Sequence, residues 1–259
     1  MMNVTLDLAV NSCYAFYENR IAFFNLQSIF FKTHLTDESR KEVNMSLDTF
    51  QNLPESKQKL IIDKGIEVFS KFSFTDASTD LITQKAGISK GLLFHYFGSK
   101  KNFYLYLLDY AINLLTQASS VDILEHKNFY EILFDSMDKK YRLIMDYPNE
   151  MHFTNLASKE TSKQVVKEKQ ELIGKYMIEV QKNSSKILSQ AIQTLNLRND
   201  VDMTKLTKGL SMYVNTIIMQ YLQIYKDRPE MFFANFDQIK IEIKDYIDLI
   251  LQGVEEKND

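Results

Sequence analysis

Residues 74–103 read FTDASTDLITQKAGISKGLLFHYFGSKKNF, and this stretch decides the fold. A short helix is predicted to begin after Ser78, and Gly87 ends it in the left-handed conformation that glycine favours at helix C-termini. Ser89 can then cap a second helix, which carries Lys90. Two helices joined by a short turn that contains glycine form a helix-turn-helix, whose second helix enters the DNA major groove. The alternative is two ordinary packed helices with a tight turn.

A longer stretch, from residue 54 to about residue 108, resembles the TetR/AcrR family of one-component bacterial regulators. The sequence departs from the usual family residues at Ser73, Leu81, Thr83 and Phe94. The resemblance implies a three-helix DNA-binding domain followed by a larger helical domain for ligand binding and dimerisation. It rests on the order and spacing of Ile61, Ile62, Gly65, Val68, Phe69, Phe74, Ser78, Ile82, Ala86, Gly87, Ile88, Ser89, Gly91, Leu93, Phe94, His95, Tyr96, Phe97, Ser99 and Lys100.

The composition independently predicts an all-α protein. Only seven glycines and three prolines interrupt 259 residues, and no run of alternating β-branched residues occurs. An apolar content of 45 % is enough to bury one or two cores. We expect a helix-turn-helix DNA-binding domain over residues 45–104 and a helical ligand-binding and dimerisation domain over residues 105–259.

Residues 1–44 lie outside the family pattern and are predicted not to belong to the core fold. The segment is rich in Phe and Tyr and lacks the basic start and small-residue cleavage site of a signal peptide. We hypothesise that Met45 is the natural start and that the residues before it are upstream sequence read in frame. The alternative is an amphipathic helix that packs on the body. Mass spectrometry of the native N-terminus distinguishes the two.

Positive charge is concentrated in the helix-turn-helix. From Lys71 to Lys101, five lysines against two aspartates give +3. The net charge of the whole chain is −3, so the remainder of the chain carries −6. A positive face on an acidic body suits a protein that contacts DNA phosphates at one end.

The sequence offers no chemistry that would indicate an enzyme, a metal site or a cofactor. Cys13 is the only cysteine, so neither an intramolecular disulfide nor a cysteine-based zinc site can form, and a single thiol fits a reducing cytoplasm. No G-x-S-x-G, H-E-x-x-H or glycine-rich phosphate loop occurs, and no apolar run is long enough for a membrane span. We therefore expect a bacterial cytoplasmic protein without catalytic residues, metal, cofactor or membrane partner.

The recognition helix supplies the expected base contacts. Lys90 can reach a guanine edge or a phosphate, Gly91 lets the backbone approach the bases, and Leu92 can touch only a thymine methyl. Hydroxyl and backbone donors at the start of the preceding helix can bind a phosphate. The family resemblance implies further phosphate contacts, although His95 could instead be a solvated polar residue. The complete expected set is Ser78, Thr79, Ser89, Lys90, Gly91, Leu92, His95, Tyr96 and Lys100.

No arginine occurs between residues 41 and 141. Arginine is the usual bidentate reader of guanine, so base discrimination here is expected to be modest per contact and shared with DNA shape.

The last two predicted helices carry apolar stripes at spacings of three and four residues. Because one recognition helix reads only a few base pairs, specific binding needs two heads on a pseudo-palindrome. The resemblance implies a homodimer formed by these helices. The expected interface residues are Leu210, Val214, Ile217, Ile218, Tyr221, Ile239, Ile243 and Ile247.

Methionine and aromatic side chains in the body could form an adaptable apolar chamber for a small hydrophobic ligand. The alternative for each is ordinary core packing. The candidates are Phe134, Met137, Met145, Tyr147, Met151, Phe153, Tyr176, Met177, Met212, Tyr213 and Met219.

These expectations describe a ligand-responsive repressor that binds a palindromic operator as a homodimer and is released by a small hydrophobic effector. The alternative of a different class is a DNA-bound architectural or cell-cycle factor of the same fold, whose body binds another protein.

Substituting Lys90 and Lys100 should separate base reading from phosphate binding. Lys90→Ala is expected to cost about 1–3 kcal/mol of operator binding and to relax specificity at one position, since it removes a base contact. Lys100→Ala should weaken binding to all DNA sequences alike and make that binding less dependent on salt concentration. Binding titrations with operator and random duplexes test both predictions. If Lys90→Ala lowers the affinity for the two duplexes equally, Lys90 does not make a base contact.

Overall fold

The computed structural model describes residues 48–118, 128–225 and 228–253. Over these ranges the chain is helical, which confirms the predicted all-α class. The segment 1–44 and the hypothetical start at Met45 lie outside the described residues. The helices are α1 (Glu55–Phe69), α2 (Thr79–Ala86), α3 (Lys90–Phe97), α4 (Lys100–Ala118), α5 (Phe129–Asp146), α6 (Pro148–Lys159), α7 (Val166–Ile192), α8 (Met203–Ile224), α9 (Pro229–Ala234) and α10 (Phe236–Leu251).

The helix ends follow the predicted caps. The side chains of Ser78 and Ser89 accept hydrogen bonds from backbone N–H groups in the first turns of α2 and α3. Asp202 caps α8 in the same way. Gly87 ends α2 with φ 65°, in the left-handed region where only glycine is free of strain. The helix-turn-helix predicted from these residues is therefore confirmed.

One predicted helix is divided. The last predicted helix is interrupted at Asn235, so α9 and α10 stand in its place. The Asn235 side chain donates to the carbonyl of Met231 at 2.6 Å, a local bond of the kind that competes with helix continuation. The backbone carbonyl of Asn235 then accepts from Ile239 at 3.0 Å, so α10 starts there.

The described residues divide into two compact units. The head comprises residues 48–114 and 149–174, and the body comprises residues 115–118, 128–148, 175–225 and 228–253. The head thus includes α6 and the start of α7, which lie in the stretch 105–259 expected to bind ligand. The assignment of these stretches to separate functions stays a prediction.

The head has a core rich in aromatic side chains. The ring of Phe69 in α1 lies 5.0 Å from Tyr104 in α4 and is stacked at 5.8 Å on Phe153 in α6. Leu93 and Phe97 of α3, the recognition helix, are buried in this core. The helix-turn-helix therefore shares one core with α1, α4 and α6.

Close packing of α1 against α4 depends on Gly65. A Cβ atom at this position would come 2.5 Å from Leu107 Cδ1 and 2.7 Å from Phe103 Cζ. Phe103 and Leu107 are both fully buried, so neither can move aside easily. A residue without a side chain is needed here for the two helices to approach.

The body is held together by α8, α9 and α10, which pack on one another, and by polar links from α10 to α5. Lys240 in α10 lies 3.0 Å from Asp138 in α5, and Tyr141 is stacked on Phe236 at 5.0 Å. Across the described part of the chain, no helix has the length and apolarity that a bilayer span would require.

Gly65→Ala is expected to destabilise the head by about 1–3 kcal/mol, because the added methyl overpacks the contact with α4. Gly209→Ala is the matched control, since a Cβ there meets nothing within 4 Å. Gly209→Ala should raise the free energy of unfolding by at most roughly 1 kcal/mol, through helix propensity alone. Urea unfolding measures both, and stabilisation by Gly65→Ala would contradict the close approach.

Candidate nucleic-acid interface

Two capped helix N-termini belong to the helix-turn-helix. Ser78 Oγ accepts from the N–H of Leu81 at 3.3 Å, and Ser89 Oγ accepts from the N–H of Leu92 at 3.1 Å. Each cap satisfies one backbone N–H group of the first turn. The positive end of the helix dipole favours an anion beside the N–H groups that remain unbonded within the helix. Such ends are suited to DNA phosphates.

The recognition helix exposes only part of its predicted contact set. Lys90, Gly91 and His95 are exposed, and Leu92 is half-buried. Gly91 has open space around it, because a Cβ would meet only Ser89 Oγ at 3.9 Å. The fold of the free protein therefore does not require glycine at residue 91, and the predicted backbone approach to DNA would be its reason for being glycine.

Two expected phosphate contacts are largely buried. Tyr96 is 5 % exposed, and its ring packs edge-on against Phe50 at 5.7 Å. Thr79, in the first turn of α2, is 9 % exposed. DNA contact by these two residues stays a prediction, while their packing role is visible in the structure.

Lys100 is held beside the turn that precedes α2. Its Nζ donates to the carbonyl of Thr75 at 3.2 Å and lies 5.0 Å from the centre of the Phe74 ring. Burial lowers the pKa of Lys100, and the nearby carboxylates of Asp76 and Glu160 oppose this effect. The ammonium thus retains a local role besides any phosphate contact.

Four of the five lysines counted between Lys71 and Lys101 lie within 3.4 Å of a carboxylate oxygen. Glu67 receives Lys64 and Lys85 at 3.0 Å each and Lys71 at 3.4 Å. The hydrogen bonds from Lys85 and Lys64 lower the pKa of Glu67 from 4.5 to about 2. Because the folded-state pKa is lowered, this contribution to stability is present above pH 4.5 and is lost as the pH falls towards 2.

Two further lysines are each paired with one carboxylate. Lys101 lies 2.6 Å from Glu168, and Lys90 lies 2.9 Å from Asp80. The local charge of +3 read from the sequence omits Glu67 and Glu168, which fall outside the counted stretch. The head therefore presents less free positive charge than its lysine content suggests.

The turn between α1 and α2 is fixed by a carboxylate from the α6–α7 segment. Glu160 Oε2 accepts from the backbone N–H of Phe74 at 2.7 Å. Its Oε1 accepts from the N–H groups of Thr161 and Ser162 at 2.9 and 2.8 Å. One side chain thus satisfies three backbone donors and fixes the turn that leads to the Ser78 cap.

A buried ammonium group, that of Lys169, also binds the α6–α7 segment. Lys169 is 4 % exposed, and its Nζ donates to the carbonyls of Ser158 and Glu160 at 2.9 and 3.0 Å. Burial lowers the pKa of Lys169, and the neighbouring Glu160 carboxylate opposes the shift. These carbonyls lie at the C-terminal end of α6, where the helix dipole favours a cation.

No pattern in the sequence indicates a role for Phe50, Glu160 or Lys169. Phe50 is fully buried, and its ring lies 4.9 Å from Phe97 at the end of the recognition helix. It precedes the family pattern, so the resemblance could not indicate it. Glu160 lies 86 residues from Phe74, whose N–H group it binds, and no local pattern connects Glu160 or Lys169 to the helix-turn-helix.

The ligand candidates are distributed over both units. Phe153 and Met151 belong to the head, and Phe153 is fully enclosed by Phe69 and Tyr104. The other nine candidates belong to the body, where Met145 and Met212 are exposed. For Phe153 the ordinary core alternative accounts for its position, and ligand contact by the remaining set stays a prediction.

Most of the expected interface residues are already buried within a single chain. Leu210, Ile217 and Ile218 of α8 are at most 7 % exposed, and Ile239, Ile243 and Ile247 of α10 are fully buried. Val214 and Tyr221 are half-buried. Tyr221 donates a short hydrogen bond to Glu242, which raises the pKa of Tyr221 to about 12. Most of the stripe is thus buried within one chain, in which α8 packs against α10, and we call these buried residues the α8–α10 seam. Their part in a dimer interface stays a prediction.

Residues 61–107 match the family model for bacterial regulatory proteins of the tetR family. The match covers the second half of α1, all of α2 and α3, and the start of α4, which form the helix-turn-helix and its support. The resemblance to the TetR family is thereby confirmed over residues 61–107. No curated protein sequence matches the chain.

Several solved structures are similar to the chain. A TetR family transcriptional regulator from Chloroflexus aurantiacus J-10-fl has 22 % identity and a TM-score of 0.48, with 81 % of this chain and 98 % of that chain covered. A putative tetR family transcription regulator from Shewanella sp. PV-4 has 16 % identity and a TM-score of 0.49, with 78 % and 99 % covered. CprB from Streptomyces coelicolor, in complex with its operator sequence, has 16 % identity and a TM-score of 0.45, with 72 % and 98 % covered.

Glu160→Gln is expected to destabilise the head by about 1.5–3 kcal/mol, because it replaces a charged acceptor that serves three backbone donors. Hydrogen exchange at the Phe74 amide should become faster, since that N–H loses its charged partner. Glu55→Gln, at an exposed position of α1, is the control. Unchanged protection of the Phe74 amide in Glu160→Gln would contradict the role of the carboxylate.

Proposed function

We propose that this protein is a ligand-responsive transcriptional regulator that binds a palindromic operator as a homodimer in the bacterial cytoplasm. The observation that carries the proposal is the helix-turn-helix with two capped N-termini and an exposed Lys90, within the range that matches the tetR family model. Repression is the proposed mode, because a dimer seated on an operator need only block RNA polymerase. No catalytic step is proposed.

Dimerisation is supported by the limited reach of one recognition helix and by exposed apolar side chains in α8 and α10. A single helix contacts only a few base pairs, so two heads on a twofold axis are needed for a specific site. Met212 of α8 and Ile241, Tyr246 and Leu249 of α10 are 45–63 % exposed. We place the twofold interface on these residues, in place of those buried in the α8–α10 seam.

The effector is proposed to be a small hydrophobic molecule bound by methionine and aromatic side chains of the body. A ligand that binds only a DNA-incompetent arrangement would shift the population away from operator binding. The contacts of Glu160 and Lys169 support a route by which this change could reach DNA. They tie the α6–α7 segment to the turn before α2, so a displaced segment would release the backbone of the helix-turn-helix.

Genomic selection with the purified full-length chain tests the function. Fragments of the source genome that are retained at physiological salt are sequenced. One palindrome near the protein's own gene would support a local ligand-responsive repressor, and the neighbouring gene would indicate the class of effector. Many dispersed sites would favour the architectural factor, and absence of any enrichment would contradict sequence-specific DNA binding.

Leu249→Asp should convert the dimer to a monomer while leaving the fold intact. Burial of leucine contributes about 1.5–3 kcal/mol and occurs twice across a twofold axis, so the dimer should weaken by roughly 3–6 kcal/mol. Operator affinity should fall with it. Analytical ultracentrifugation and thermal unfolding check the two parts of this prediction.

Ile218→Asp is the matched control for the interface assignment. Ile218 is 7 % exposed within one chain, whereas Leu249 is 63 % exposed. A charge at residue 218 should therefore lower the melting temperature, because it is buried in the α8–α10 seam. A stable monomer from Ile218→Asp together with an unaffected dimer from Leu249→Asp would reverse the assignment.

A further inference from the structure

The lysine of the recognition helix is paired with a carboxylate from the preceding helix. Lys90 Nζ lies 2.9 Å from Asp80 Oδ2, and the two side chains are 49 % and 71 % exposed. Lys90 is the only lysine in α3, which spans Lys90–Phe97. The charge expected to approach DNA first is therefore already neutralised in the free protein.

Asp80 lies on the side of the head where DNA is proposed to bind. It belongs to the first turn of α2, two residues after the Ser78 cap. The other acidic partners of the head lysines, Glu67 and Glu168, are only 21 % and 28 % exposed and join structural elements to each other. Asp80 differs because its partner is the side chain expected to read DNA.

The chemistry of the pair discriminates between two kinds of DNA acceptor. An ammonium group has three N–H donors, so Lys90 can keep its bond to Asp80 and still donate to another oxygen or nitrogen. A guanine edge offers neutral acceptors, which the Asp80 carboxylate does not repel. A phosphate is an anion, and its approach to Lys90 brings two negative groups together.

We propose that Asp80 is a specificity-determining residue that directs Lys90 towards base edges and away from backbone phosphates. This inference rests on the proposed DNA-binding function and deepens it. On random DNA, a contact between Lys90 and a phosphate contributes little affinity. Either the ion pair with Asp80 must break, or the phosphate must lie close to the Asp80 carboxylate, which repels it. At the operator, Lys90 contacts its base while it stays paired, so little affinity is lost.

Asp80→Asn should therefore strengthen binding to random DNA more than binding to the operator. Releasing one lysine to a phosphate steepens the salt dependence by about 0.9 in the slope of log K against log salt, which corresponds to about fivefold tighter binding at physiological salt. The ratio of operator to random affinity should fall by a similar factor.

Asp63→Asn is the matched control. Asp63 forms an exposed ion pair with Lys59 at 3.0 Å in α1, so its substitution changes the charge of the head equally without freeing Lys90. The double variant Asp80→Asn with Lys90→Ala supplies a second control. If the effect of Asp80 operates through Lys90, it should disappear in the Lys90→Ala background.

The test measures binding of the full-length chain to a random-sequence duplex and to its selected operator over a series of KCl concentrations. Circular dichroism checks that each variant is folded. If Asp80→Asn and Asp63→Asn change the two affinities equally, or if the effect of Asp80→Asn persists in the Lys90→Ala background, the proposed role of Asp80 is overturned. The proposed DNA-binding function would be unaffected by either result. Failure of the unmodified chain to prefer any sequence would overturn the proposed function as well.

Discussion

The close approach of α1 to α4 at Gly65 is the contact on which the DNA-binding head depends. Phe103 and Leu107 occupy the space that a side chain at residue 65 would need, and they bring α4 against the same core that receives Leu93 and Phe97 from the helix-turn-helix. Since interiors are packed as densely as crystals, a shift at this contact would be transmitted to the neighbouring helices. The orientation of the recognition helix is therefore a consequence of core packing.

Polar contacts then fix what the apolar core leaves free. Glu160 and Lys169 hold the α6–α7 segment against the turn before α2, and Glu67 joins α1 to α2 through Lys85. These interactions involve backbone N–H and C=O groups and buried or half-buried charges, which contribute more to stability than exposed ion pairs do. The exposed pair of Asp80 and Lys90 contributes little to stability, and its position suggests a role in choosing between DNA acceptors.

The same apolar periodicity has different meanings in the two units. In the head, Ile82 and Leu93 face one core shared by several helices. In the body, the stripe of α8 and α10 forms a seam within one chain, and a second set of apolar residues, including Met212 and Leu249, remains exposed. A spacing of three and four residues indicates which face of a helix is apolar, but it cannot say whether that face meets its own chain or a second copy.

Local residues were sufficient to predict the helix-turn-helix, because capping and left-handed glycine are short-range effects. Ser78, Gly87 and Ser89 act on backbone groups within four residues of themselves, so their roles can be read without a fold. The bond between Glu160 and Phe74, the packing of Tyr96 against Phe50, and the pairing of Lys90 with Asp80 depend on which elements become neighbours. Such contacts join residues between 10 and 86 positions apart, and only tertiary packing decides them.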